Sequence, residues 1–187
     1  ETLTLQINVG LLCNQACRHC HLSAGPTRKE VMERETVDHL IRFTRKCSFE
    51  VVDITGGAPE INPHLEYMIE SFSRIVPRIM LRANLTALRQ YGNQGLYRAL
   101  LRHRVVVVAS VPALNAGQLE AQRGRGVFGE TLETLKMLND WGYGQPGSGL
   151  ELNLVSNPSG AFLPVAQATA ESKFRADLGR RWGIVFT

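Results

Sequence analysis

A chain of 187 residues, 44% apolar and 20% charged, is long enough to bury a core without disulfide staples. No apolar run approaches the roughly 20 residues that would span a bilayer, so a membrane is not an expected partner. The formal net charge of +4 is mild, and the arginines are scattered without a basic block or interleaved aromatics. Nucleic acid is therefore not an expected partner either, whereas a pocket for an anionic ligand is easily accommodated.

Strand-like runs alternate with helix-like segments along the chain. Leu3 to Val9 comes first, and Val37, Leu40, Ile41 and Thr44 then recur at helical spacing. Glu50 to Thr55 is the second strand, followed by Asn62-Pro63, which reads as an N-cap with proline in the first turn of a helix carrying Leu65, Met68, Ile69 and Phe72. Arg78 to Asn84 is the third strand. The fourth, Val105 to Val111, is apolar on both faces, as a doubly covered parallel strand requires. Leu132, Leu135 and Leu138 line a helix that stops at Gly142; Leu150 to Ser156 and Ile184 to Thr187 complete six strand positions. Serial strand-helix units predict a parallel sheet with right-handed crossovers, either an open doubly wound sheet or a partial barrel, in one domain over residues 1–187.

In both architectures ligands gather at the carboxyl ends of the strands. Cys13, Cys17 and Cys20, spaced C-x3-C-x2-C, follow strand one, and Gly56-Gly57-Ala58-Pro59 follows strand two. Asn84 ends strand three, Ser110 ends strand four, and Asn153 and Asn157 flank the end of strand five. Two glycines at a strand end let backbone approach a ligand closely, and Arg123, a dozen residues past Ser110, is near enough for both to reach one carboxylate. Gly142-Tyr-Gly144-Gln-Pro-Gly147 matches a dinucleotide fingerprint in letters only, since it follows a helix and precedes a strand.

Three thiols within eight residues suit a [4Fe-4S] cluster with one iron left open. Competing readings exist. Cys17-Arg-His-Cys20-His21 also fits covalent haem attachment, which in most settings requires export, and no signal segment precedes it. Zinc held by the three cysteines and His21 is the main competitor, although structural zinc sites usually pair their ligands across a longer loop. Four cysteines are too few for a disulfide framework, reduced thiols fit a cytoplasmic, oxygen-poor setting, and Cys47, at the end of a helix, reads as a small buried apolar residue. The chain opens at Glu1 and stops inside the apolar run Gly183 to Thr187, which reads as a piece of a longer protein.

With the cysteine loop after strand one and GGAP after strand two, the whole chain resembles the radical S-adenosylmethionine (SAM) superfamily. The resemblance implies a partial (β/α)6 TIM-like barrel of parallel strands, and a cluster on Cys13, Cys17 and Cys20 whose fourth iron is chelated by SAM. It further implies reductive cleavage of SAM to methionine and a 5'-deoxyadenosyl radical, with an electron donor such as flavodoxin or ferredoxin. Gly56, Gly57, Ala58 and Pro59 match the motif that borders the methionine amino group. Ser110 and Arg123 match positions that hold the carboxylate, and His19 the one beside the adenine; Asn84 and Asn153 are further candidate cofactor contacts. Ala58 stands where Glu is frequent, and His19 where an aromatic is usual.

A narrower match runs through Cys13-Asn-Gln-Ala-Cys17-Arg-His-Cys20-His21, Ala24-Gly25-Pro26, Thr55-Gly-Gly-Ala-Pro59-Glu60, Asn84-Leu85-Thr86, Gln122-Arg123-Gly124, Gly126-Val127-Phe128 and Gly142-Tyr143-Gly144-x-Pro146-Gly147-Ser148-Gly149-Leu150. In these segments the chain resembles arsenosugar biosynthesis radical SAM proteins. That resemblance implies transfer of the adenosyl group to a methylated trivalent arsenical, with a further C-terminal region carrying thiols or selenocysteine beyond this domain. Glu60 and Asn84, on the rim beside GGAP, are the candidate substrate contacts. Two other functions fit parts of the sequence: hydrogen abstraction from a peptide or small molecule at the same cluster, and a zinc-binding interaction module that needs the cysteines alone.

Overall fold

The computed structural model describes residues 3–18, 20–156 and 166–187. His19 and Asn157, both named above, lie outside the described residues. Five parallel strands form one sheet in sequence order: β1 (Thr4–Asn8), β2 (Val51–Thr55), β3 (Arg78–Ala83), β4 (Val106–Ser110) and β5 (Leu152–Val155). The crossovers carry α1 (Arg34–Thr44), α2 (Leu65–Phe72), α3 (Leu85–Tyr91), α4 (Gln94–Arg102), α5 (Ala116–Arg123) and α6 (Val127–Asp140), and α7 (Gln167–Trp182) follows β5. A strand order of 1-2-3-4-5 with helical crossovers is that of a barrel wound part of the way round.

Side chains alternate across each strand, and the two faces differ in chemistry. One face presents Ile7, Val52, Ile54, Ile79, Leu81, Val107, Ala109 and Leu152, all buried in the core with Met68, Phe72, Leu88, Leu100 and Leu135 of the helices. Each large side chain so buried contributes about 1.5 to 3 kcal/mol. The opposite face carries Gln6 and Asn8 in β1, Asp53 and Thr55 in β2, Arg82 in β3 and Ser110 in β4. Gln6 pairs in register with Asp53, Asn8 with Thr55, Arg82 with Val108, and Ser110 with Val155.

The structure departs from the sequence expectations in three places. Ile184 to Thr187 is not a sixth strand, although Thr187 N donates to Leu152 O at 2.8 Å and Leu152 N donates to Thr187 Oγ1 at 3.0 Å, which lays the segment beside β5. Asn62 does not cap α2. It closes a 3-10 turn over Pro59–Ile61, its Oδ1 accepts from His64 N at 2.8 Å, and its Nδ2 reaches Val9 O and Met32 O. Cys47 lies three residues beyond the end of α1 and is half-buried rather than buried.

Candidate functional site

The loop after β1 is fixed at its base by backbone pairing. Gly25 N donates to Leu11 O at 3.1 Å, Cys13 N to Gly25 O at 3.2 Å, and Gly10 bridges to Val31. The turn after β2 docks on the same base, with Gly57 N donating to Gly10 O and Ala58 N to Leu12 O, each at 2.9 Å. Glycine is required here by contact: a Cβ on Gly57 would stand 2.5 Å from Leu12 O, and Gly56 has φ +154. The close approach made by these two glycines is therefore to the cysteine loop. They also line the cavity beside it, while Ala58 and Pro59 are buried behind them.

That cavity, about 580 Å³, is bordered by all three cysteines, His21, Asn84, Ser110 and Arg123. Cys13, Cys17 and Cys20 are free thiols. Burial raises the pKa of Cys13, against hydrogen bonds from Gln15 N (3.5 Å) and Asn84 Nδ2 (3.4 Å) that favour its thiolate. Burial likewise raises that of Cys17, opposed by the positive charge of Arg123. Among the described residues no three His, Cys, Asp or Glu side chains gather tightly enough to ligate a single metal ion. The thiols border a shared cavity instead, which suits a cubane whose irons each take one thiolate.

Arg123 and Ser110 meet as expected, with Nη2 donating to Ser110 Oγ at 2.7 Å. Burial lowers the arginine's pKa, while Cys17 and Cys13 favour its charge. A partly desolvated guanidinium beside a hydroxyl is a receptor for a ligand carboxylate. Arg18 N donates to Gln122 O at 3.0 Å, tying the cysteine loop to the end of α5 that supplies Arg123.

The remaining candidates are placed differently. Asn84 lines the cavity, but its amide is engaged: Oδ1 caps α3 through Thr86 N, and Nδ2 donates to Cys13 Sγ and Asn14 Oδ1. Glu60 is buried and does not border the cavity; its Oε1 accepts from Asn84 N at 2.9 Å. Asn153 borders a neighbouring cavity of about 860 Å³ that shares Pro112 and Val155 with the first. Sequence reasoning missed Asn14 and Gln15, whose side-chain amides donate to Thr86 Oγ1 at 3.0 and 2.7 Å and clamp the cysteine loop to α3. It also missed Gln6, Asn8, Thr55 and Arg82 on the cavity floor. The available signal was the alternation of Gln6 and Asn8 in β1 and of Asp53 and Thr55 in β2 with apolar residues.

A parallel α/β partial barrel with a three-thiol loop on its carboxyl rim defines an iron-sulfur protein that binds a small cofactor beside its cluster. The Radical SAM superfamily model matches residues 7–150, and the chain belongs to that superfamily. Its cofactors are accordingly a [4Fe-4S] cluster and SAM. Among curated relatives, YydG of Bacillus subtilis (strain 168), named provisionally for peptide biosynthesis, is 36% identical over 55 residues, 29% of this chain and 17% of that protein. GTP 3',8-cyclase of Alkaliphilus metalliredigens (strain QYMF) is 26% identical over 93 residues, 47% of this chain and 29% of the cyclase. Streptococcus suis SuiB bound to S-adenosylmethionine superposes with TM-score 0.69 at 14% identity, covering 94% of this chain and 38% of SuiB. The chain thus spans well under half the length of the proteins it matches. No helix among the described residues is long and apolar enough to cross a membrane.

Proposed function

We propose that this chain is the catalytic core of a radical SAM enzyme that joins the 5'-deoxyadenosyl group to dimethylarsinous acid, in arsenosugar synthesis, the arsenic becoming pentavalent as its hydroxyl proton leaves and one electron returns to the cofactor that supplied it. The observation that carries the reading is the set of segments quoted from the sequence, from Cys13 to Leu150, that jointly resemble the arsenosugar proteins. The size of the cavity supports it: about 580 Å³ suits a cofactor and a small second molecule.

When bound, the reduced cluster and SAM supply a 5'-deoxyadenosyl radical by cleavage of the sulfonium. The chain's residues bind and orient. Cys13, Cys17 and Cys20 would hold the cluster, leaving one iron for SAM. Arg123 and Ser110 take the carboxylate. The backbone of the turn from Gly56 to Pro59 would border the amino group. Asn84 donates to the Cys13 sulfur, a contact that stabilises the thiolate form the cluster needs. Flavodoxin or ferredoxin is the proposed electron donor.

Hydrogen abstraction from a peptide is the second reading, favoured by the likeness to SuiB, of which one solved structure carries the precursor peptide SuiA, and by the neighbouring 860 Å³ cavity. Product analysis separates the two. Anaerobically reconstituted protein is supplied with SAM, a reductant and dimethylarsinous acid. Mass spectrometry should find 5'-deoxy-5'-dimethylarsinoyl adenosine. Free 5'-deoxyadenosine as the sole nucleoside product, both from this domain and from the domain joined to the thiol-bearing region that the resembled family carries, would reject adenosyl transfer.

A further inference from the structure

The concave face of the sheet carries polar side chains on β1 to β3, Gln6, Asn8, Asp53, Thr55 and Arg82, where a closed barrel would be packed with branched apolar ones. At its centre Arg82 donates from Nε to both oxygens of Asp53, at 3.0 and 2.9 Å, and its Nη2 lies 2.8 Å from Oδ2. Gln6 Nε2 donates to the same Oδ2 at 2.8 Å. Asp53 is almost wholly buried at 5% side-chain exposure, whereas Arg82 retains 43% and borders the cavity. An ion pair buried this way is weak support for stability, since apolar residues of the same volume serve equally well. The arrangement has a different logic. Asp53, itself held by Gln6, locks one edge of the guanidinium, and Arg82 borders the cavity together with Gln6 and Asn8.

Arg82 also sits lower in the barrel than the SAM-directed residues. It lies within β3, two positions before Asn84 at the head of α3, and pairs with Val108, two positions before Ser110 on β4. We propose that Arg82, oriented by Asp53 and Gln6, is a substrate subsite for an oxyanion or hydroxyl oxygen, which it holds beneath the cofactor. The inference rests on the reading of this cavity as the place where SAM and substrate meet. For an arsenical, the group taken is the oxygen on arsenic. Arg82 is the residue that would set specificity.

The test is equilibrium dialysis of the reconstituted, SAM-loaded protein against two probes, cacodylate as a dimethylated arsenic oxyanion and inorganic phosphate as an arsenic-free one. Bound arsenic and phosphorus are counted by mass spectrometry. Arg82→Gln should weaken cacodylate binding at least about tenfold, the loss expected for a charge-assisted hydrogen bond, and Arg82→Lys should recover part of it. Iron content and SAM affinity should stay at wild-type levels. Because Arg82→Gln alone leaves Asp53 without its partner, the double variant Asp53→Asn/Arg82→Gln gives a second, uncharged version of the pair that should show the same loss. Arg82-dependent binding of phosphate but not cacodylate would uphold the subsite while counting against an arsenical substrate. Binding of either probe that is indifferent to Arg82, or no binding of either by the wild type, would overturn the proposal.

Discussion

Glu60 is a carboxyl group held where its charge is poorly solvated. Oε1 accepts from Asn84 N, Oε2 has no hydrogen-bond partner, and burial pushes its pKa up to about 8. In the unfolded chain it titrates near the usual glutamate value of about 4.3. Between those limits the folded protein retains a proton that the unfolded chain has released. Stability is therefore full below about pH 4.3 and declines as pH rises toward 8, by at most about 1.4 kcal/mol per pH unit from this group. Glu60→Gln should flatten that decline in urea unfolding of the reduced protein between pH 5 and 8; parallel pH profiles for variant and wild type would contradict it. The cysteines make a sharper division. Ala at 13, 17 or 20 should abolish the roughly four irons and four sulfides taken up on anaerobic reconstitution, while Cys47→Ala should leave them, and stoichiometric zinc without sulfide would reject the cluster assignment. Arg123→Ala should weaken SAM binding by roughly 1.5 to 3 kcal/mol, the range for hydrogen bonds to charged groups, with iron content unchanged. Unaltered SAM affinity would remove Arg123 from the site.

At the scale of elements, α6 holds the C-terminal segment through one side chain. Asn139 Nδ2 donates to Tyr143 O and Val185 O, both at 2.8 Å, and its Oδ1 accepts from Val185 N at 2.9 Å. Asn139→Ala removes all three bonds and should cost roughly 2 to 4 kcal/mol, read by urea unfolding, with faster amide exchange at Val185 and Thr187. An unshifted midpoint would show that the segment is held by packing and by its hydrogen bonds to Leu152 and Arg175 without Asn139. This contact also marks the limit of what the sequence made legible. The strands were readable because short apolar runs, alternating in β1 and continuous in β4, recur between helical repeats. The pairing of Ser110 with Arg123 followed from strand-end placement. The segment 184–187 has the same apolar signature as a strand, but its pairing depends on Asn139 and β5, which are distant in sequence. Asn62 carried a helix-start signal, and a turn with a buried amide used it instead. The polar floor at Arg82 was visible only as alternation, whose meaning depends on which face the helices cover.

For the whole molecule, the distribution of thiols sets the expected division of labour. Three of the four cysteines border the cavity. Cys47 follows α1 and precedes β2, which places it at the amino edge of the sheet, opposite the rim that carries the cluster. No thiol beyond the proposed cluster ligands therefore faces the cofactor. Trivalent arsenic is a soft centre that prefers sulfur to oxygen, by the same matching that sorts metals among ligands, and an oxygen contact at Arg82 orients it without holding it tightly. Residues 1–187, reconstituted and reduced, should cleave SAM mainly to free 5'-deoxyadenosine even with dimethylarsinous acid present. The share of arsenic-bearing nucleoside should rise when the domain is joined to the thiol-bearing region that the resembled family carries after it. The ratio of the two nucleosides, measured by mass spectrometry before and after that addition, checks the point. Arsenic-carbon bond formation that accounts for all the SAM consumed by residues 1–187 alone would show that the cavity needs no further thiol.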